Sequence, residues 1–321
     1  MKNFSKLLFI LLFIICLTAT TAAAATVIPG GQVIGLHLQD DTVTVTEFDE
    51  AIGSAARSAG LQKGDRIVSI DQKKITCAAD IRDALSTSDG QVDIAVQRGK
   101  KTKTLTLCPP LTEDGPRLGV YLRQGTTGLG TVTFYDPHSG AFAALGHGVN
   151  TAEGKLLTLR DGSAYAARVH GVKKGKAGAP GQLLGSVTSP ETVGKLSAIT
   201  NQGAFGKLTQ KIPGDPLPTA NADEIKTGAA TIRSTVDGQS LREYSVEILK
   251  LYPSGASRTR NLLLKVTDEA LLSATGGIVQ GMSGSPIIQD GKLIGAVTHV
   301  LVNDPTMGYG IFIENMLDAA A

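Results

Sequence analysis

The stretch Gly281-Met282-Ser283-Gly284-Ser285-Pro286 carries the residue types that acyl-transfer chemistry needs. Ser283 supplies a hydroxyl nucleophile, and the nearby glycines keep that hydroxyl clear of its own backbone. The N–H groups of Gly281 and Ser283 are expected to form an oxyanion hole for a tetrahedral intermediate. Gly281 has no Cβ to block that geometry. Ser283 is therefore a candidate nucleophile, and the simpler interpretation is an ordinary glycine-rich turn.

The residues after Ser283 distinguish between two folds in which serine hydrolases carry their nucleophile. Ile287–Gln289, the pair Asp290-Gly291 and then Lys292–Thr298 predict a strand, a two-residue turn and a second strand. The nucleophile elbow of α/β hydrolases leads into a helix and has glycine where this chain has Ser285. A hairpin after such a serine is typical of trypsin-like peptidases, so the pattern favours the trypsin-like fold.

A serine nucleophile needs a base within hydrogen-bond reach. The candidates are the five histidines, His37, His138, His147, His170 and His299. His147 is the best of them, because flanking glycines leave its imidazole unshielded and because histidine before serine is the trypsin-like order. His299 is interpreted as part of a wall that faces the substrate. The histidines have no metal-ligand spacing, so we expect no metal and no other cofactor.

Composition limits the class of protein. The chain has 321 residues, of which 42% are hydrophobic, and this allows two domains with cores of their own. Its 38 glycines favour a β architecture that is rich in turns. The formal net charge is +2 and there is no basic block, so nucleic acid is not expected as a partner.

The N-terminus has the pattern of a targeting segment. Lys2 and Lys6 precede an apolar run over residues 7–17, and small residues follow as far as Ala25. A basic start, an apolar run and a small-residue exit are typical of secretory signals. We therefore predict that residues 1–25 are a signal peptide or an N-terminal anchor and that the protein is exported.

Residues 28–108 resemble a bacterial PDZ domain, a small α/β module. The resemblance is carried by Val33-Ile34-Gly35-Leu36 and by the run Ala55–Ile67. In such domains an apolar-Gly-apolar loop binds the terminal carboxylate of a peptide, which adds to the sheet as an edge strand. The resemblance thus implies that Val33, Ile34, Gly35 and Leu36 bind a peptide C-terminus. Residues 109–117, with Pro109-Pro110, are predicted to be a linker.

Cys77 and Cys108 both lie in the part of the chain that is predicted to be exported. An exported protein can form disulfides. A bridge between the two cysteines and a pair of free thiols are equally open at this point.

Short strands punctuated by glycine predict a closed β structure over residues 118–321. This part closely resembles the stage IV sporulation protein B serine peptidase family. The stretches that carry the resemblance include Gly130–Pro137, Ala144–His147, Gly203–Leu208 and the long run Thr275–Gly310. The expected architecture is mainly β, with the PDZ domain followed by a trypsin-like double β-barrel.

The resemblance implies an exported serine endopeptidase of sporulation that works between forespore and mother cell. Its expected substrate is a membrane-associated regulator of the protease that processes a late sigma factor. Cleavage of its own N-terminal segment is also implied. The alternative is a non-catalytic signalling protein that binds a partner through its PDZ and protease-like domains.

Carried over onto this chain, the resemblance makes Ser283 the nucleophile, His147 the base and Asp268 the acid that orients the base. It also assigns Thr298 to the support of Asp268. Asp161 is a rival for the acid, because it follows His147 closely. A dyad of serine and histidine without an acid is the third possibility that the residues leave open.

Overall fold

The computed structural model describes residues 25–151, 154–209, 211, 213–253 and 258–320. The predicted signal peptide or anchor lies, apart from its last residue, outside the described residues. Within them, no helix is long and apolar enough to cross a membrane.

The chain is built mainly from strands. In order these are β1 (Thr26–Pro29), β2 (Val33–Phe48), β3 (Arg66–Ile70), β4 (Lys73–Lys74), β5 (Val92–Arg98), β6 (Lys101–Leu107), β7 (Leu111–Thr112), β8 (Gly115–Pro116), β9 (Val120–Tyr135), β10 (Ala141–Ala144), β11 (Asp161–Lys173), β12 (Gln182–Thr200), β13 (Gly203–Leu208), β14 (Leu217–Pro218), β15 (Gly228–Asp237), β16 (Ser240–Leu251), β17 (Leu262–Val266), β18 (Pro286–Gln289), β19 (Lys292–Leu301) and β20 (Asp304–Phe312). The α-helices are α1 (Ser54–Ser58), α2 (Ala78–Ser86), α3 (Glu269–Thr275) and α4 (Ile313–Ala320), and Ala222–Glu224 forms a 3-10 turn.

Six strands close the first barrel in the order β9-β10-β13-β12-β11-β2, and β2 pairs back onto β9. Its interior holds apolar side chains such as Ile34, Phe142 and Ala164, which alternate with outward residues along their strands. Closure removes most of the free edges that an open sheet of this size would present to solvent, and within the described part of the chain residues 126–130 of β9 stay unpaired on the side away from β2.

The second barrel has the order β15-β16-β17-β20-β19-β18 and is also closed. Ile232, Leu264 and Ile287 are fully buried within it. Two antiparallel six-stranded barrels in sequence are the trypsin-like arrangement, and the predicted fold class is confirmed.

The PDZ module is inserted into the first barrel, and this corrects the predicted domain boundaries. Residues 34–38 of β2 pair with both β9 and β11 inside the barrel, whereas residues 43–48 continue into the PDZ sheet. The strand β9 returns through Val120–Gln124 of the PDZ sheet before it re-enters the barrel. Residues 28–39 therefore belong to the protease fold, because their hydrogen-bond partners lie there.

The module has a core of its own, in which Val45, Ile67, Ile81 and Ile94 are buried. The predicted linker at 109–117 contains the small hairpin of β7 and β8. Cys77 and Cys108 are both free thiols, so of the two alternatives the structure has the unpaired one.

Candidate active site

A strained turn presents His147. The strand β10 ends at Ala144, and the N–H of Gly146 donates to the Ala144 carbonyl at 2.9 Å. Leu145 lies between them with a φ of +73°, the rare positive-φ form of a γ-turn. A buried leucine in this region costs on the order of 1–3 kcal/mol, and such strain persists only where the surroundings enforce it. The turn reverses the chain and leaves the imidazole at the boundary between the barrels.

The turn that carries Ser283 is anchored to the first barrel through Thr131. The Thr131 hydroxyl donates to the Gly281 carbonyl at 2.7 Å, and its N–H donates to the Ser283 carbonyl at 3.0 Å. Met282 and Gly284 donate their N–H groups to Val279 and Val297. The N–H groups of Gly281 and Ser283, by contrast, donate to no acceptor in the described part of the chain. These two donors remain available for an oxyanion.

One pocket of about 460 Å³ collects the residues that could do the chemistry. It lies between the barrels and is lined by His147, Gly281, Ser283, Thr298 and His299, among others. The Ser283 hydroxyl donates to the Thr298 carbonyl at 2.9 Å. The structure thus brings four of the predicted site residues, His147, Gly281, Ser283 and Thr298, to the same place.

The imidazole of His147 is oriented by a backbone carbonyl. Its Nδ1 lies 2.8 Å from the Gly148 carbonyl oxygen, which can only accept a hydrogen bond, so Nδ1 carries the proton. Burial lowers the pKa of His147, and the bond to Gly148 opposes that shift. The ring is therefore neutral at neutral pH, with Nε2 free to accept a proton, as a general base requires.

His299 stands against His147, with ring centroids 5.1 Å apart. Its buried Nδ1 has no hydrogen-bond partner within the described ranges. Burial, together with the neighbouring His147 and Arg260, lowers the pKa of His299 to about 4. The prediction that His299 forms a wall of the site agrees with its place in this pocket.

A family model for the SpoIVB peptidase S55 matches residues 114–317, and a PDZ model matches residues 50–98. The chain belongs to the SpoIVB peptidase S55 family. It is a serine peptidase by family and has a PDZ domain, which favours the catalytic interpretation over the non-catalytic alternative.

Curated relatives match over shorter stretches. The peptidase is 40% identical over 58 residues to "Serine protease HTRA2, mitochondrial" of Drosophila virilis, which is 18% of this chain and 14% of that protein. It is 40% identical over 81 residues to "Putative zinc metalloprotease SA1105" of Staphylococcus aureus (strain N315), 25% of this chain and 19% of that one. The matched stretch is thus less than a fifth of the length of either relative.

Among solved structures, the peptidase is similar to the active form of the Rv3671c protease from M. tuberculosis. That similarity has 15% identity and a TM-score of 0.36, and it covers 60% of this chain and 72% of that one. The similarity to the HtrA-type protease AlgW with a decapeptide has 13% identity and a TM-score of 0.36, and it covers 73% of this chain and 64% of that one. Similarities this low carry no argument about the site.

The structure does not bring Asp268 to the imidazole, which corrects its predicted role. Its carboxylate is the N-cap of α3, where Oδ1 accepts from the Leu271 N–H at 2.9 Å and Oδ2 faces the Ser245 N–H at 3.3 Å. Thr298 does not support it either, because the Thr298 hydroxyl faces the carbonyls of Thr259 and Tyr309 at 3.2 and 3.1 Å.

Asp161 is equally removed from the site, since it lies exposed on β11 with its carboxylate 3.6 Å from Lys195. Within the described ranges, no carboxylate forms an ion pair or hydrogen bond with His147. Of the three possibilities left open by the sequence, this geometry favours a dyad.

Replacing Asp268 by asparagine is expected to leave kcat/KM within about threefold of the wild-type value, because no catalytic group contacts it. Replacing it by alanine should lower the free energy of unfolding by about 1 kcal/mol through loss of the helix cap. Peptide cleavage and urea unfolding of both variants check this. A hundredfold loss of kcat in a folded Asp268→Asn protein would restore Asp268 as the orienting acid.

The predicted peptide-binding residues Val33, Ile34, Gly35 and Leu36 lie in the barrel, which corrects that assignment. They pair with β9 and β11, and Gly35 and Leu36 line a groove beside the active site. A groove of about 690 Å³ does lie on the PDZ module, between α2 and the start of β9.

The apolar-Gly-apolar run beside that groove is Leu118-Gly119-Val120. The N–H groups of Leu118 and Gly119 donate to no described acceptor. This run has the same apolar-Gly-apolar pattern as Val33–Leu36 and is recognisable by that signal, although only Val33–Leu36 was predicted to bind a peptide.

Proposed function

We propose that this peptidase hydrolyses protein substrates with Ser283 as nucleophile and His147 as general base. The observation that supports this most directly is the pocket that the two residues share. In it, a neutral imidazole, whose Nδ1–H donates to the Gly148 carbonyl, lies near the serine hydroxyl. The two unused N–H groups of Gly281 and Ser283 complete the set that acyl transfer needs.

In the proposed reaction the Ser283 hydroxyl turns from the Thr298 carbonyl towards Nε2 of His147. As Oγ attacks the scissile carbonyl carbon, its proton passes to Nε2, and the oxyanion accepts hydrogen bonds from Gly281 and Ser283. The imidazolium then gives that proton to the leaving amine, and an ester remains on Ser283. Water, deprotonated by the same imidazole, hydrolyses the ester and restores the hydroxyl.

The biological role that fits best is that of an exported signalling peptidase of sporulation, acting outside the forespore membrane. This part of the proposal rests on the family and on the targeting pattern at the N-terminus. The substrate would be a membrane-associated regulator of the protease that processes a late sigma factor. Its C-terminus would lie in the groove beside Leu118–Val120, where Arg82 is exposed and suited to a carboxylate.

The test is to express the chain in a spore-forming bacterium that lacks its own peptidase of this family, with a reporter for the late sigma factor. The wild-type chain should restore the reporter, and Ser283→Ala should not and should also retain its N-terminal segment. Arg82→Glu should weaken the reporter and leave fluorophosphonate labelling of Ser283 intact. A silent reporter with an exported, labelled wild-type protein would contradict the sporulation role and leave the peptidase activity standing.

A further inference from the structure

A second groove of about 770 Å³ continues from the catalytic pocket past Gly281. The two cavities share Leu36, Leu129, Gln280 and Gly281 in their linings. The groove is therefore an extension of the active site, and a polypeptide bound at Ser283 can enter it without crossing a barrier of protein.

Three of the eight large hydrophobic side chains that are exposed in the described part of the chain line this continuous cleft. Leu184 and Val187, on the hairpin of β11 and β12, are 49% and 44% exposed and line the groove. Val302, which is 49% exposed, lines the catalytic pocket itself. Large aliphatic side chains left in water next to a catalytic serine are suited to cover apolar side chains of a substrate.

The groove also has no side chain with a permanent charge, and His37 is the one histidine in its lining. None of the residues that line it is Asp, Glu, Lys or Arg, although 19% of the chain is charged. A charged substrate side chain would lose hydration there without gaining a partner, which is unfavourable. The lining thus selects uncharged residues.

The backbone of β9 is open to an added strand where the two cavities meet. Residues 126–130 pair with β2 on one side, and β9 gains its second partner, β10, only from Val132 onward. An extended peptide can therefore add to this edge, inside the groove that Leu184 and Val187 also line.

The chemistry assigns a direction to the bound chain. The leaving amine must face the imidazole of His147. The Thr298 carbonyl, 2.9 Å from Ser283 Oγ, can then accept a hydrogen bond from the backbone N–H of the residue whose carbonyl is attacked. Residues before the scissile bond then follow β19 from Thr298, and residues after it leave in the opposite direction, past Gly281.

We propose that the groove walled by Leu184 and Val187 is the recognition site for the two or three residues after the scissile bond, and that it takes an extended, apolar, uncharged segment. This rests on the proposed catalytic role of Ser283. It makes Leu184 and Val187 specificity-determining residues for a substrate class, namely proteins with an accessible apolar stretch on the C-terminal side of the cut.

The test is to digest a proteome-derived peptide library with the full chain and to read the cleavage sites by mass spectrometry. Wild-type cuts should be enriched in aliphatic residues at the second and third positions after the bond. Leu184→Glu and Val187→Glu should each lower kcat/KM for such peptides about tenfold. They should also raise it for peptides with lysine at those positions, a gain that misfolding cannot produce.

Leu249→Glu is the matched control, because Leu249 is 38% exposed on β16 and lines neither cavity. It should leave the profile unchanged. The proposal is overturned if the glutamate variants label normally with a fluorophosphonate and keep the wild-type profile, or if only the positions before the bond change. Wild-type protein that neither labels nor cleaves would instead refute the proposed active site, and this proposal with it.

Discussion

Replacing Ser283 by alanine is expected to lower kcat for peptide cleavage on the order of 10⁴- to 10⁶-fold, because the alanine cannot attack the scissile carbonyl and the Thr298 hydroxyl in the same pocket is bound to backbone carbonyls. His147→Ala should lower kcat by a similar factor, since the Ser283 hydroxyl is a weak nucleophile without the base. The double variant should be no worse than either single one, because the two groups act as a unit.

Single-turnover cleavage and mapping of the fluorophosphonate-labelled residue are the measurements. The chain offers its own control in His170 and Ser186, whose Nε2 and Oγ lie 2.6 Å apart on the exposed hairpin of β11 and β12. That pair has hydrogen-bond geometry, but both residues lie within strands rather than in a turn like the one around Ser283. Ser186→Ala should keep full labelling. Labelling that survives Ser283→Ala, or disappears with Ser186→Ala, would show that the nucleophile has been misassigned.

Gly284→Ala is expected to lower the free energy of unfolding by about 3 kcal/mol or more and to abolish activity in any protein that still folds. A Cβ at this position would lie 2.1 Å from the Thr131 carbonyl oxygen and 2.5 Å from the Leu145 nitrogen. These are backbone atoms of the first barrel and cannot rotate away. The barrels would have to separate, which would pull His147 away from Ser283.

The matched control for that substitution is Gly291→Ala. Both glycines have positive φ, +97° and +75°, but a Cβ at Gly291 meets nothing within 4 Å. Gly291→Ala should therefore cost only about 1 kcal/mol of backbone strain and leave turnover unchanged. Thermal melts of the two variants and their kcat/KM values make the comparison. Equal losses would mean that strain at positive φ, rather than the contact between the barrels, limits the site.

Local patterns were enough to predict the hairpin after Ser283. The predicted strands at Ile287–Gln289 and Lys292–Thr298 correspond to β18 and β19, because alternation and the Asp290-Gly291 turn are properties of neighbouring residues. The shared pocket of Ser283 and His147 also agrees with the sequence interpretation, since residue order and glycine spacing carry that signal.

Local patterns could not tell which of two similar runs forms the peptide-binding loop. The apolar-Gly-apolar run is present at Val33–Leu36 and at Leu118–Val120, and only the second lies beside α2. What separates them is pairing with strands far along the chain, such as Gly35 with Tyr165 in β11. No local feature of the sequence states which partner a strand will find.

Asp268 shows a different limit of sequence reasoning. An aspartate before a short helix is a capping signal in its own right, and the structure uses it in that way. The orientation of His147 comes instead from the carbonyl of Gly148, a group that every residue possesses. A role played by the backbone leaves no trace in residue type, and the same holds for the γ-turn at Leu145.

The two long strands that join the PDZ module to the first barrel, β2 and β9, set the distance between the PDZ groove and the catalytic serine. A module on a flexible linker would only raise the concentration of substrate near the serine. Here a single strand, β9, changes direction at Gly125, whose φ is +78°, and joins Val120, beside the PDZ groove, to Leu129, in the catalytic cleft, over at most about 30 Å. Under the proposed function, a substrate whose last residue is bound at Gly119 would reach Ser283 only with a bond several residues upstream, so the insertion would select substrates by the distance between the C-terminus and the scissile bond.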